Sequence, residues 1–309
     1  MLYPVADAHC DFLYGMVNNG YRIDHPRENQ VTTIRNFRKG NVILQLFACW
    51  IDTSLRIGPL HQCVNMIEAY RRMLNDNKED LAAFTADFDQ ASGKTACLLT
   101  IEGGEAIEGD LSVLRFLYDS GVRAMTLTWN ESNELCGSAM HKNHRGLTDL
   151  GKKVIREMNQ IGMAVDLAHL SEAGIDDVLS LSSAPVFASH SNARSVFDSK
   201  RSLRDDQIKA ISSMGGVVCI NFFNKQLTSN RCATLHDIVR QILHVIDTGG
   251  INCCALGSDF DGMPVYPVGM PDASGYPSLF AALREEGLTD DDILRISYRN
   301  LFTYIRRFV

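Results

Sequence analysis

The segment of residues 148–190, TDLGKKVIREMNQIGMAVDLAHLSEAGIDDVLSLSSAPVFASH, alternates between helical and strand-like hydrophobic patterns. Apolar side chains recur at helical spacing over Leu150–Ile161 and Ile175–Leu181, as on helices that bury one face. Each of these stretches precedes a short apolar run, Ala164–Leu167 and Val186–Ala188, that is typical of a strand covered on both faces. Alternation of this kind predicts parallel strands joined by crossover helices.

The same alternation extends in both directions along the chain. Eight such strands in 309 residues predict a (β/α)8 TIM-like barrel, and a doubly wound open sheet is the alternative. The tail from Pro277 to Arg307 predicts extra C-terminal helices, and no linker marks a boundary, so we expect one domain over residues 1–309. The predicted strands are Leu2–Ala8, Val42–Trp50, Thr95–Ile101, Ala124–Thr128, Ala164–Leu167, Val186–Ala188, Val217–Asn221 and Cys254–Gly257.

The composition is that of an ordinary globular protein, since 45% of residues are hydrophobic and 22% are charged; collagen-like and disordered chains are excluded. The net charge is -7 and the basic residues are scattered, which argues against a nucleic-acid partner. No apolar run reaches the roughly 20 residues of a membrane span, and no signal peptide is recognisable. The nine cysteines include no CxxC pair, so we expect reduced thiols and a cytoplasmic location, without a membrane partner.

Polar residues with metal-binding side chains stand where the predicted strands end. On a barrel, side chains at the carboxyl ends of the strands face one active site. Residues two apart in an extended segment point the same way, so His9 and Asp11 can face one cation. Other strand ends carry Glu102, His169, His190 and Asp259.

Each of these residues alone has an ordinary structural explanation, as a buried histidine or a capping carboxylate. Without Asp259, the set contains three histidines and two carboxylates at four strand ends, which favours a divalent metal. Zn²⁺ suits this mixture of ligands. A carboxylate has two oxygens, so Glu102 can bridge two cations. One cation would then take His9 and Asp11, and the other would take His169 and His190.

Asp259 follows the last predicted strand and is not needed as a ligand. Two adjacent cations lower the pKa of a shared water, and the Asp259 carboxylate can take the proton of that water and pass it to a leaving group. A metal-binding protein without catalysis is the rival interpretation. Asp259 argues against it, because metal storage needs no such carboxylate.

These motifs, in this order, resemble those of the membrane (renal) dipeptidase family of dinuclear zinc peptidases over nearly the whole chain. The resemblance implies an amidohydrolase-like barrel and two Zn²⁺ ions bridged by Glu102. It also implies hydrolysis of dipeptides by a hydroxide that bridges the metals, with tolerance of a D-residue at the C-terminal position. The matching motifs are Asp7-Ala8-His9-Cys10-Asp11, Ile101-Glu102-Gly103-Gly104, Asp166-Leu167-Ala168-His169-Leu170-Ser171, Ser189-His190-Ser191-Asn192-Ala193 and Gly257-Ser258-Asp259-Phe260-Asp261-Gly262.

The family also uses an arginine shortly after the second metal histidine, and Arg201 has that offset from His190. The guanidinium fork matches a carboxylate, so the resemblance implies that Arg201 holds the free carboxylate of the dipeptide. Arg194 and Arg204 are the competing positions, and any of the three alone would be interpreted as a surface residue.

One departure from the family concerns the end of the fourth predicted strand. Members often carry a Leu-Thr-His sequence there that contacts the substrate, whereas this chain has Leu127-Thr128-Trp129-Asn130. We expect Trp129 to present a flat apolar surface to the substrate and Asn130 to take part in binding it. The alternative is that Trp129 turns into the barrel wall and only packs.

The sequence thus predicts a bacterial-type cytoplasmic metallodipeptidase with two divalent ions, Zn²⁺ first among them. The expected partners are a dipeptide substrate and, as an assembly, a second copy of the chain in a homodimer. An amidohydrolase-type enzyme for cyclic amides is the alternative activity.

Overall fold

The computed structural model describes residues 2–28, 30–142 and 144–309 and shows a closed barrel of eight parallel strands surrounded by helices. The strands are β1 (Val5–Asp7), β2 (Val42–Trp50), β3 (Leu81–Ala83), β4 (Thr95–Glu102), β5 (Val122–Thr126), β6 (Ala164–Asp166), β7 (Phe187–Ala188), β8 (Val217–Ile220) and β9 (Cys254–Leu256). β1 pairs with both β2 and β9, and the remaining barrel strands follow in chain order. The predicted (β/α)8 barrel is therefore confirmed, and the alternative prediction of a doubly wound open sheet is wrong.

The strand β3 is an addition that the sequence did not predict. It pairs with the first three residues of β4, whereas β5 pairs with the last four residues of β4, so β3 lies outside the barrel. It has only three residues, of which Leu81 alone is buried, so its hydrophobic pattern is too short to predict a strand. The bounds of two predicted strands were wrong by two residues or more: the first strand is confined to β1, and β5 begins at Val122 and ends before Leu127. The other predicted strands differ by one residue at most.

The helices follow the barrel strands and cover their outer faces. They are α1 (Phe12–Asn18), α2 (Ile34–Gly40), α3 (Pro59–Asp76), α4 (Leu111–Asp119), α5 (Asp149–Ile161), α6 (Glu172–Leu181), α7 (Asp205–Ser213), α8 (Asn224–Leu227), α9 (Leu235–Gly249), α10 (Tyr276–Glu285), α11 (Asp290–Leu294) and α12 (Asn300–Ile305). The short helices α1, α2 and α8 were not predicted from the sequence. In the part of the chain that the structure describes, no helix has both the length and the apolar composition needed to cross a bilayer.

The apolar core has two layers, and the inner layer fills the barrel itself. Alternate residues of all eight barrel strands point inward, many of them small, such as Ala6, Ala96, Ala124 and Ala164. Side chains of α12 and the residues after it, including Leu301 and Tyr304, belong to the same cluster. Tyr304 donates a hydrogen bond to the Pro185 carbonyl just before β7, so the C-terminal helix covers the amino ends of the strands. The polar residues lie at the opposite end of the barrel, at the carboxyl ends of the strands.

Candidate metal centre

The polar residues predicted from the strand ends come together at the carboxyl mouth of the barrel. Glu102 is the last residue of β4, His9 follows β1, His169 follows β6, and His190 follows β7. Glu102 and His169 line a cavity of about 430 Å³, and His9 and His190 each lie 3.5 Å from the Glu102 carboxylate. The lining of this cavity includes Asp11, Tyr14, Trp50, Glu102, Trp129, Asn130, His169, Arg201, Asp259, Asp261 and Gly262.

Glu102 lies at the centre of the candidate site, and its two oxygens face different partners. Oε1 is 2.7 Å from Nε2 of His169 and 3.5 Å from Nε2 of His190. Oε2 is 3.5 Å from Nε2 of His9, and that nitrogen is 3.5 Å from Oδ2 of Asp11. The carboxylate therefore stands between two pairs of candidate ligands, in the division that the sequence predicts.

Several ligand atoms of this site are buried without a hydrogen-bond partner. Among the described residues, Nε2 of His9 and Oδ1 of Asp11 are such atoms. A buried polar atom without a partner costs free energy, which a bound cation would remove. Two groups have ligand atoms that all lie within 4.8 Å of one another: His9, Glu102 and His190, and His9, Asp11 and Asp259. The donor set thus fits a divalent metal.

The electrostatic environment keeps two of the three histidines neutral. Burial, assisted by the charge of Arg201, lowers the pKa of His169 to about 4, and burial also holds the pKa of His190 well below its usual value. For His9, burial alone would lower the pKa, but Glu102 and Asp11 outweigh it and raise the pKa well above its usual value. Neutral imidazoles are what a metal requires, and His9 must give up a proton to meet that requirement.

Asp259 combines a carboxylate that is only 14% exposed with few hydrogen bonds. Its Oδ2 accepts a hydrogen bond from Nδ2 of Asn221 at 3.2 Å, and its Oδ1 is 4.0 Å from Nε2 of His9. Burial raises the pKa of Asp259 to about 8. The nearby Asp261 differs, because its two oxygens accept hydrogen bonds from the backbone N–H groups of Val31 and Thr32. Of these two carboxylates, Asp259 accepts fewer of the hydrogen bonds found among the described residues.

The backbone at the mouth is strained at three residues that are not glycine. His169, Asp259 and Asp261 have φ angles of 65°, 66° and 63°, a region that L-residues rarely adopt and that is enriched at functional sites. A Cβ atom on Gly262 would lie 2.1 Å from Oδ2 of Asp11 and 2.5 Å from Oδ1 of Asp259. Only glycine lets the chain pass this close to both carboxylates.

Arg201 carries a buried guanidinium with unused donors. It is only 7% exposed, and its Nε and Nη2 are buried without a partner among the described residues. Burial lowers its pKa to about 10, so it remains charged at neutral pH. The competing arginines are occupied elsewhere: Arg194 is 2.6 Å from Glu172, and Arg204 contacts Glu172, Asp176 and Asp206. Arg201 is thus the arginine in this region that faces the cavity with unpaired donors.

Trp129 is half-buried and lines the cavity together with aromatic residues that the sequence analysis missed, among them Trp50 and Tyr14. Its ring meets the edge of Trp50 at a centroid distance of 4.8 Å and lies 6.3 Å from the ring of His169. Tyr14 packs on the other side of Trp50 at 4.6 Å. The signal was present, since Trp50 ends β2 and Tyr14 follows Asp11 by three residues. These contacts favour the cavity over the barrel wall as the place of Trp129.

Asn130 also lines the cavity, but its side chain is engaged with a candidate ligand. Its Oδ1 is 3.1 Å from Nδ1 of His169. A carboxamide oxygen only accepts, so Nδ1 of His169 would donate a hydrogen bond to it when Nε2 binds metal. Asn130 therefore orients His169, a role that the sequence did not indicate, while its contact with substrate remains a prediction.

Exchange of Trp129 for histidine tests the position of this side chain. If the indole faces substrate, Trp129→His leaves the melting temperature nearly unchanged and alters relative kcat/KM values across a dipeptide panel by about 10-fold, or about 1.4 kcal/mol. Melting temperature and the panel should be measured together. An unchanged ranking of substrates with a large loss of stability would place Trp129 in the wall instead.

Comparisons with known proteins agree with this geometry. Residues 2–308 match the family model described as membrane dipeptidase, peptidase family M19. An uncharacterised dipeptidase of Schizosaccharomyces pombe is 33% identical over 331 residues, which cover 94% of this chain and 79% of that protein. Dipeptidase 3 of Rattus norvegicus is 31% identical over 99% of this chain, but this chain covers only 65% of the rat protein, less than two thirds of its length.

Solved structures show the same barrel. A metallopeptidase named dipeptidase AC, of family M19, superposes with a TM-score of 0.92 at 25% identity over 100% of this chain and 99% of that one. A metallopeptidase from Rhodobacter sphaeroides, liganded with a phosphinate mimic of the dipeptide L-Ala-D-Ala, also has a TM-score of 0.92, at 24% identity over the whole of both chains.

Proposed function

Because the chain belongs to the membrane dipeptidase family, peptidase family M19, we propose that it hydrolyses the peptide bond of dipeptides at a centre of two divalent ions. The observation that carries this proposal is the position of Glu102, whose two oxygens face His169 on one side and His9 on the other. Zn²⁺ is the ion we propose, since it suits mixed nitrogen and oxygen ligands.

Five residues would hold the two ions. His9 and Asp11 would bind the first, His169 and His190 the second, and Glu102 would bind both through separate oxygens. When bound, such a pair lowers the pKa of water toward neutrality and polarises the scissile carbonyl. The remaining chemistry falls to the side chains around the centre.

Asp259 is the residue we propose for proton transfer. Its largely buried carboxylate lies beside His9 and Asp11 and accepts a hydrogen bond from Asn221. A carboxyl group with a pKa near the working pH takes a proton and returns it with little loss of driving force. Asp259 would accept the proton of the attacking water and deliver it to the departing amine.

The substrate would be held by a charged group and an aromatic surface. Arg201 supplies unpaired N–H donors for the free carboxylate of the dipeptide, which removes the cost of a buried guanidinium without partners. Trp50 and Trp129 form an apolar wall of the same cavity. Tolerance of a D-residue at the C-terminal position is part of the proposal.

A dipeptide library assayed on metal-quantified protein tests the activity. We expect metal-dependent hydrolysis of dipeptides in both the L,L and the L,D series. Cyclic amides, assayed at the same metal content, serve as the comparison. Faster turnover of cyclic amides would favour the alternative amidohydrolase activity. A metal-loaded sample inert toward both sets would identify a silent metal-binding homologue.

Arg201→Met should raise KM at least ~10-fold for dipeptides with a free carboxylate, because a charged hydrogen bond contributes about 1.5–3 kcal/mol. The same substitution should change little for dipeptide amides, which lack that carboxylate. Arg194→Met is the matched control, since Arg194 is paired with Glu172 outside this cavity. An equal loss for acids and amides would contradict the assigned contact.

Activity at limiting metal should fall as the pH decreases, beginning above the ordinary histidine pKa of about 6.5, because protons compete with metal for the histidine ligands. His9 is the residue concerned: Glu102 and Asp11 raise its pKa in the metal-free protein, so metal affinity rises with pH as this proton is lost. Excess metal should move the acid limb to lower pH. An acid limb that ignores metal concentration would instead indicate titration of a carboxylate such as Asp259.

We further propose that the protein works in the cytoplasm. All nine cysteines are free, and eight of them are buried, which suits a reducing compartment. The homodimer and the lack of a nucleic-acid partner remain predictions, which sedimentation analysis and binding assays would check.

A further inference from the structure

Asp7 is a fully buried carboxylate that is not among the candidate ligands. It accepts a hydrogen bond from the backbone N–H of His9, two residues along its own strand, at 3.3 Å. It also accepts from the N–H and the hydroxyl of Ser258, at 2.8 and 2.5 Å, and from the Tyr276 hydroxyl at 2.8 Å. Four donors thus converge on one carboxylate between β1 and β9.

Asp166, 4% exposed, repeats this pattern between β6 and β7. It accepts from the backbone N–H of Ala168, two residues along its own strand, at 3.0 Å. The N–H and the hydroxyl of Ser189 donate to it at 2.9 and 2.6 Å, and the Thr126 hydroxyl donates at 2.6 Å. Each aspartate therefore joins its own strand end to a serine that follows a neighbouring strand.

The two serines stand directly before residues of the candidate site. Ser258 precedes Asp259, and Ser189 precedes His190. We propose that these groups are two clamps, each of which positions one half of the metal centre: a first clamp of Asp7, Ser258 and Tyr276, and a second clamp of Asp166, Ser189 and Thr126. The inference rests on the proposed metal centre and adds positioning residues to it.

The second clamp also decides which nitrogen of His190 carries the proton. The Ser189 hydroxyl has one hydrogen, which it donates to Asp166, and its oxygen is 2.8 Å from Nδ1 of His190. The hydroxyl can then only accept at that contact, so Nδ1 carries the proton. Nε2 is left without one, and it is the nitrogen that faces Glu102. Such contacts raise the affinity of a ligating histidine for metal.

The first clamp positions the backbone and does not select a histidine tautomer. It fixes the backbone just after the neighbouring strands β1 and β9, at His9 and at Ser258, and the next residue, Asp259, has a φ angle of 66°. A strained conformation persists only where the surroundings over-determine it. Tyr276 reaches Asp7 from α10 and does not line the cavity, so its hydroxyl can be removed without touching substrate.

The test compares hydroxyl deletions in the two clamps. Ser189→Ala and Thr126→Val alter the second clamp, and Ser258→Ala and Tyr276→Phe alter the first. Thr95→Val is the control, because it removes a buried hydroxyl that donates to the Val42 carbonyl at the other end of the barrel. For each variant, metal-free protein is titrated with Zn²⁺ to obtain two dissociation constants. Its melting temperature without metal, and its kcat and KM with metal, are also measured.

We expect each clamp variant to weaken one of the two metals by about 10–100-fold, the usual effect of removing such a partner. In a His190→Ala background, which leaves only the first ion, Ser258→Ala and Tyr276→Phe should still weaken binding, and Thr126→Val should not. The first-clamp variants should also lower kcat more than they raise KM, through Asp259. Thr95→Val should lower only the melting temperature.

Two results would overturn the inference while leaving the metal centre in place. One is equal weakening of both ions by every variant. The other is a loss of affinity that follows the melting temperature, as the control would show for a purely structural role. Wild-type protein that binds fewer than two ions would instead overturn the proposed centre, and the clamps with it.

Discussion

Replacement of Asp259 by asparagine should lower kcat at least ~100-fold, within the usual contribution of an acid–base group, while bound metal is retained. Asparagine keeps the shape of the side chain and its contact with Asn221, but it cannot accept the proton of the attacking water. The measurement combines steady-state kinetics with metal analysis of the same samples. Retained metal is essential to the interpretation, because Asp259 lies within reach of His9 and Asp11.

Asp261→Asn is the matched control for this experiment. Its carboxylate is occupied by the N–H groups of Val31 and Thr32, so we expect a loss of stability with a smaller effect on kcat. Near-normal turnover in Asp259→Asn would move the proton-transfer role elsewhere, and Asp261 would be the first candidate. Loss of metal from Asp259→Asn would make that residue a ligand.

Glu102→Gln should lower the occupancy of both metal positions and abolish most of the activity. The carboxylate contributes one oxygen toward His169 and the other toward His9, and its negative charge offsets the repulsion between two cations. Glutamine removes that charge and replaces one oxygen by an NH₂ group, which cannot bind metal. Metal content per chain, measured after reconstitution with zinc, is the direct readout.

His190→Ala is the comparison, because it removes a candidate ligand of one ion only and should empty mainly that position. A Glu102→Gln protein that keeps one ion at full affinity would show that this residue does not bridge. One ion or none per wild-type chain would overturn the dinuclear centre as a whole.

The barrel and its polar mouth could be predicted because both depend on short-range patterns. Strand runs such as Val42–Trp50 carry a strong hydrophobic signal, and residues such as His169 stand at strand ends by sequence position alone. The strand β3 could not be predicted from its hydrophobic pattern, because it has only three residues and Leu81 is the only buried one among them.

The supporting residues of the site depend on contacts between distant parts of the chain. The choice of Arg201 over Arg194 follows from Glu172, which pairs with Arg194 and lies 22 residues away from it. The contact of Asn130 with His169 spans 39 residues and depends on how two loops meet. Asp7 and Asp166 belong to quoted motifs, yet only the structure shows which hydroxyl groups reach them.

The two clamps differ most in how much chain separates their members. Ser189 follows Asp166 by 23 residues, whereas Tyr276 follows Asp7 by 269. The ribosome synthesises the chain from its N-terminus at about 5–20 residues per second. All members of the second clamp are therefore available well before α10 has been synthesised. The first clamp is among the last tertiary contacts to form during biosynthesis. A nascent or truncated chain that stops before Tyr276 already carries every candidate metal ligand, yet it lacks one of the groups that hold β1 against β9.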